Sequence, residues 1–361
     1  MLMSGTLSRA GLFVVGASLL TGLLAGLFAW HVSGSPQAHP DFAMVWTAAQ
    51  QPRPYDQARL NEVLGWGARL EAAFAYPPTY LAILAPLTLL PLRVALAVWA
   101  AASGVAMGLA SRSRWSPALL LLPPVLWALP GGQTSVMLGS LSLGAVLLLR
   151  EPRLAGALLG IAVGIKPQLV LVLPFALLID RRWAALLWEA ATFLLIAIAS
   201  GVIFGPLLWL DWVRALPGFL NKLELNAYWR ANEIAFGLPV WLRVLALLLG
   251  AMLSARALRS DHPVEAFVIA VGASIIGAAH AMAYEFAMFA PALPALLARR
   301  RWCAPAAILF FLMPVLIWAG LPAFPWRVLA VLALVLAAAV DAGTIPATAA
   351  TRRTNATGER P

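Results

Sequence analysis

Few side chains in this sequence can do acid–base or ionic chemistry, and they are unevenly placed. Of its 25 basic residues only Lys166 and Lys222 are lysines, and Lys166 stands in Gly164-Ile165-Lys166-Pro167, between apolar runs and at a helix break. A cation in such surroundings is expensive unless it meets an anion. Its position therefore calls for a carboxylate or phosphate partner, or else for a side chain that snorkels to the interface. Asp41 precedes Phe42, Val45 and Trp46, which recur at helical spacing. It suits a helix N-cap, and it equally suits a general base at the membrane surface that takes a proton from a hydroxyl. Asp56 follows Pro54-Tyr55 in a turn-like context, where capping a second short helix is its default role. His280 and Glu285 flank Tyr284 between two apolar runs, and the histidine is suited either to a structural hydrogen bond or to an anionic group. The interval from Asp211 to Glu233 adds Lys222, Tyr228, Trp229 and Arg230, a mixture that fits a sugar, a lipid headgroup or an interfacial aromatic belt. The histidines His31, His39, His262 and His280 have no metal-ligand spacing, and the single Cys303 rules out an internal disulfide and a cysteine metal site. Neither a metal nor another cofactor is expected.

The elements that must position these residues are membrane spans. With 62% hydrophobic and 11% charged residues and a mean hydropathy of +0.86, the chain reads as an all-α, polytopic transmembrane protein. The net charge of +10 sits in short clusters between apolar runs, where it sets orientation, so nucleic acid is not an expected partner. Residues 11–30 form the first span. Residues 32–78 form a long extracytoplasmic loop, predicted to hold two short amphipathic helices after Asp41 and Asp56, lying at the water interface. Residues 79–92 are apolar but broken at Pro86 and Pro91, which suits a re-entrant half-helix.

Beyond it, arginine-rich punctuation (Arg112 and Arg114, Arg150 and Arg153, Arg181 and Arg182, Arg256 and Arg259, Arg299 to Arg301) alternates with arginine-poor intervals at 131–133, 164–167, 205–233, 280–285 and 320–326. Placing the arginine-rich set in the cytoplasm gives about 12 spans plus the half-helix, and puts 15 of the 25 basic residues inside. The chain then divides into a single membrane domain, 1–341, with a second extracytoplasmic loop at 205–233, and a small, polar, threonine-rich tail, 342–361, expected to be disordered and cytoplasmic. No internal repeat of the kind found in transporters is visible.

The order Asp41-Phe42, Pro54-Tyr55-Asp56, Tyr76-Pro77-Pro78, Ala85-Pro86-Leu87, Leu90-Pro91, Gly132-Gln133 and Ala155-Gly156 through Gly160 to Lys166-Pro167 resembles glycosyltransferase family 87, of the GT-C superfamily. The resemblance runs from about residue 39 to about residue 185, with an echo at His280 to Glu285. It implies a GT-C-type multi-pass enzyme of the bacterial cell (inner) membrane. Its active site would face the periplasm or exterior, its donor would be a polyprenyl-phosphate sugar, and its acceptor a glycan or glycolipid hydroxyl. Asp41 matches the family's catalytic base in the first extracytoplasmic loop. By the same resemblance Lys166, Arg230 and His280 are candidates for the donor phosphate, and Asp56, Tyr76, Gln133 and Glu285 for positioning sugar or acceptor. Mannose is the sugar that the resemblance puts first. A secondary transporter or lipid flippase is the alternative that an isolated intramembrane cation allows.

Overall fold

The structure, a computed structural model, describes residues 9–32, 40–65, 74–225, 233–235, 237–299, 301–318 and 323–345. Arg230, with Tyr228 and Trp229, lies outside the described residues, as do residues 346–361 of the expected tail. Among the described residues the chain is helical, apart from one isolated antiparallel bridge between Glu233 and Met282.

In chain order, α1 (Arg9–Val32) is followed by the short helices α2 (Pro40–Ala48) and α3 (Gln57–Leu64), then by α4 (Pro78–Leu84) with a 3-10 extension (Ala85–Leu89), and by α5 (Leu92–Ser111). A 3-10 turn (Ser116–Leu121) and α6 (Pro123–Ala128) lead to α7 (Ser135–Leu147), α8 (Pro152–Ile165), α9 (Pro167–Val170), α10 (Val172–Ile179), α11 (Trp183–Phe204) and α12 (Leu208–Leu225). The last third holds α13 (Val240–Arg259), α14 (Pro263–Gly277), a 3-10 segment (Ala283–Ala292), α15 (Leu293–Arg299), α16 (Cys303–Trp318) and α17 (Ala323–Asp341).

Four of these helices, α1, α5, α11 and α13, are long and apolar enough to cross a membrane by themselves. The other apolar segments are shorter, because proline and glycine divide them. The break between α8 and α9 is the clearest case. Pro167 has no backbone N–H to continue the ladder and pushes the residue before it out of the helical region, so Lys166 sits extended, at φ −155° and ψ 79°. The segment after Pro77 likewise makes only seven residues of α-helix before its 3-10 turn.

Small residues let the helices approach closely. Along α1, Ser18, Gly22 and Gly26 face Gly104 and Gly108 of α5, and a Cβ on either Gly22 or Gly108 would run into the opposite helix. Gly156 and Gly160 of α8 lie in the same way against the backbone of α11 at Ala185 and Glu189. At the centre, α14 is buried from Val264 to Ile276, and the 3-10 segment Ala283–Ala292 is buried throughout, as expected of elements that are apolar all round.

Helices do form after Asp41 and Asp56, but only α3 keeps an open polar side. In α2 Phe42, Ala43, Met44, Val45, Thr47 and Ala48 are all buried, so the expected amphipathic surface helix is a packed one. The segments that cover it are distant in sequence, which the local pattern does not reveal.

Gly139 on α7 lies directly against the Met288 backbone, with no room for a Cβ. Gly139→Ala should therefore separate α7 from the segment that carries Glu285 and lower stability by about 1–3 kcal/mol, the usual cost of overpacking. A thermal melt in detergent would measure it, and an unchanged melting temperature would show that the contact yields without strain.

Candidate active site

Two tight constructions bring polar side chains together at one end of the helices. The first joins the start of α2 to the turn before α7. Gly132 takes φ +64°, a left-handed conformation that glycine adopts freely, and a Cβ there would collide with Phe42. The turn thereby sets Gln133 beside the helix, where its Nε2 donates to Oδ2 of Asp41. Asp41 thus lies inside the first turn of α2, one residue past Pro40, with a carboxylate that faces a side-chain donor in another segment.

The second construction is centred on Lys166, which is only 4% exposed. Its Nζ donates to Oε1 of Glu285 at 2.5 Å, and Oγ of Ser135 donates to the other carboxylate oxygen, Oε2, also at 2.5 Å. Glu285 is fully buried, so this carboxylate is paired and hydrogen-bonded as a buried charge requires. The ammonium also stands 5.8 Å from the ring centre of Tyr76 and 5.7 Å from that of Tyr284. The extended conformation imposed by Pro167 releases Lys166 from α8. Thr79 Oγ1, donating to the Gly164 carbonyl at 2.5 Å, ties that helix end to α4.

His280 adds a third polar group. Its Nδ1 donates to Oε1 of Glu233 at 2.6 Å, and the edge of Phe219 from α12 packs on its ring, with centroids 5.5 Å apart. The bridge at Met282, in which the Ile234 N–H donates to the Ala281 carbonyl at 2.8 Å, holds the two short segments side by side. Trp212 of α12 donates to the Ala75 carbonyl at 3.0 Å, so this helix lies against both Tyr76's strand of chain and His280.

Burial pushes the Asp41 carboxyl above its ordinary value of 3.8. The Gln133 hydrogen bond and the positive charges of Lys166 and His280 oppose that shift, and the negative charge of Glu285 adds to it. Lys166, His280 and Glu285 are therefore within electrostatic reach of Asp41. Burial raises the Tyr76 phenol well above its usual range, with further contributions from Asp41, Tyr80 and Glu285, so this hydroxyl is neutral and can act as a hydrogen-bond donor. Its backbone carbonyl accepts from the Tyr55 hydroxyl at 2.7 Å. Beside Asp41, the buried Oε1 of Gln133 and Oγ1 of Thr134 have no hydrogen-bond partner among the described residues. Such groups are costly to leave bare and can be satisfied by substrate hydroxyls.

The structure therefore gathers Asp41, Tyr76, Gln133, Lys166, His280 and Glu285. Asp56 stands apart: it is exposed and caps α3, with its carboxylate accepting from the Arg59 N–H at 3.0 Å. Asp56→Ala should cost about 1 kcal/mol of stability, as a lost cap does, and leave turnover unchanged. A fall in turnover larger than the loss of folded protein would bring Asp56 back to the site. Three members of the cluster were not singled out from the sequence. Ser135 and Thr134 carried no signal beyond a helix start, and Glu233 was one charge among several in its loop. Among the described residues no group of three or more His, Cys, Asp or Glu side chains is arranged to hold a metal.

Neither the curated proteins nor the solved structures compared with this chain gave a match. The family model of glycosyltransferase family 87 matches residues 74–283, taking in Tyr76, Gln133, Lys166, Arg230 and His280, and leaving Asp41 and Asp56 before its start and Glu285 just past its end. Because that match spans more than half of the sequence and includes most of the gathered residues, the chain belongs to glycosyltransferase family 87 and is a glycosyltransferase.

Proposed function

We propose that this enzyme transfers a sugar, mannose in the first instance, from a polyprenyl-phosphate donor to a hydroxyl of a glycan or glycolipid acceptor. Transfer takes place with inversion, at the outer face of a bacterial cell membrane that the chain crosses about 12 times. The observation that carries this reading is the convergence of one carboxylate, Asp41, with the Lys166 ammonium and the His280 imidazole, contributed by distant parts of the chain.

Asp41 accepts the acceptor's hydroxyl proton as the oxygen forms its bond to the anomeric carbon. The bond from that carbon to the phosphate oxygen breaks on the opposite face, and its electron pair leaves with polyprenyl phosphate. Phosphate is a stable leaving anion, so nearby positive charge serves it better than a protonating acid does. Lys166 supplies that charge, with His280 beside it and Arg230 as a further candidate. Glu285 keeps the buried ammonium compensated while no donor is bound, and Gln133, Thr134 and Tyr76 offer hydrogen bonds to sugar hydroxyls. A lipid-linked donor suits a site walled by helices, because its tail stays in the bilayer while its phosphate is presented at the interface.

Membranes containing the protein should transfer labelled mannose from a short-chain polyprenyl-phosphate mannose to an envelope glycan acceptor, and should give no direct transfer from a nucleotide-mannose donor. Nuclear magnetic resonance of the product should show the anomeric configuration opposite to that of the donor. Retention of configuration, or direct use of the nucleotide sugar, would overturn the mechanism. Activity with a pentose donor alone would replace mannose and leave the mechanism intact.

A further inference from the structure

At the end of the helices opposite Lys166, one length of α8 away, the arginine-rich turns border a second feature. A cavity of about 490 Å³ opens between the turn from α7 to α8 and the turn from α10 to α11. It is lined by Arg150, Arg181 and Arg182 and by Trp183, Ala184 and Ala185, the first residues of the 22-residue α11. No side chain caps that helix start, so its first N–H groups are free to meet an anion in the cavity.

The charges around it do not cancel. Arg182 is held by Asp180, which also takes Arg259, and Arg153 lies over the Trp188 ring. Arg150 and Arg181 have no acidic partner among the described residues. Glu151, the nearest other carboxylate in sequence, is exposed and not part of the lining. Two exposed guanidinium groups without an acidic partner and an uncapped helix start therefore border one open cavity.

What lies beside the cavity names the ligand. Trp183 is 56% exposed at its rim, and below it Leu187, Leu194, Leu195, Ile198 and Val202 form an uncovered apolar face along α11. A free phosphate would use only the cavity. A phospholipid would use both features, with its phosphate between the arginines, the indole at headgroup level and its acyl chains along α11.

We infer that the cavity lined by Arg150, Arg181 and the start of α11 binds the headgroup of an anionic phospholipid from the leaflet at that end of the protein. The site is separate from the one at Asp41, and its occupancy does not depend on the glycosyl donor.

The test is native mass spectrometry of the detergent-purified protein titrated with phosphatidylglycerol, phosphatidylcholine or inorganic phosphate. The wild type should retain phosphatidylglycerol in preference to phosphatidylcholine. The double variant Arg150→Gln/Arg181→Gln should bind it at least about tenfold more weakly, since each basic residue near an anionic lipid contributes on the order of 1 kcal/mol. Arg150→Lys/Arg181→Lys, which keeps both charges, should retain most of the binding. Arg112→Gln/Arg114→Gln removes the same charge from another turn and should leave binding as in the wild type. Equal loss in that control would reduce the effect to net charge and overturn the site. So would unchanged binding in Arg150→Gln/Arg181→Gln. Displacement of the lipid by inorganic phosphate at equal concentration would make this a free-anion pocket and overturn the lipid assignment.

Discussion

Asp41→Asn should cut sugar transfer by about 10²–10⁴-fold while leaving the protein as stable as the wild type or slightly more so. Loss of a general base removes on the order of 10²–10⁴ from the rate, and the amide keeps the shape of the carboxylate and an oxygen that still accepts from Gln133. The stability half of the prediction follows from the direction of the Asp41 shift. Folding raises this carboxyl, chiefly by burial, so the native state holds its proton more tightly than the unfolded chain does. The resulting stabilisation is complete below the unfolded value and is lost as pH rises through the folded one. Near neutral pH the ionised Asp41 thus works against the fold, and a neutral isostere relieves that burden. The same direction governs the rate. A base must be unprotonated, so kcat/KM of the wild type should fall on the acid side at a pH above that of an ordinary aspartate, and the residual activity of Asp41→Asn should lack this limb. Measured together, transfer rate, pH profile and melting temperature separate a base from a brace. A variant that transfers like the wild type would leave Asp41 a structural residue, and one that melts well below it would make loss of fold the cause of any inactivity.

How far the site could be read from the sequence depended on how local its contacts are. Asp56 acts three residues away, and its capping role followed from Pro54-Tyr55 and the apolar spacing beyond. The break at Lys166 was legible because Pro167 dictates it locally, and the need of the ammonium for an anion followed from its apolar setting. Which anion was not legible. Glu285 lies 119 residues further along, and only packing of the 3-10 segment against α7, through Gly139, brings it within reach. Gln133 meets Asp41 across 92 residues in the same way. Where sequence reasoning made α2 amphipathic, the burial of most of its residues is decided by the turn at Gly132 against Phe42 and by the 3-10 segment at Leu87, with Trp46 donating to the Leu87 carbonyl at 3.3 Å. Span counting by alternating arginines was similarly indirect, since charges report which side a turn lies on and not whether the helix between two turns is whole or broken at proline.

The pairing of Lys166 with Glu285 sets up the second large effect, because it offers two explanations for one inactive variant. Lys166→Met should destabilise by roughly 3–5 kcal/mol, since it leaves a fully buried carboxylate with Ser135 as its remaining partner. Loss of transfer in that variant would therefore say nothing about phosphate. Glu285→Gln exposes the opposite imbalance, an ammonium left with the rings of Tyr76 and Tyr284. The double variant Lys166→Met/Glu285→Gln removes both charges at nearly constant volume, and replacing a buried ion pair by neutral groups is often close to neutral for stability. Its melting temperature should return most of the way to that of the wild type. If Lys166 meets the departing phosphate, transfer by the refolded double variant should stay depressed by about 10²–10³-fold, the scale on which a preorganised charge acts in a transition state. If Lys166 serves only to neutralise Glu285, rate and stability should recover together. The comparison is decisive because the two charges are 2.5 Å apart: a donor phosphate can reach the ammonium only by sharing it with Glu285, so the cost of removing the pair falls on catalysis in one case and on folding in the other.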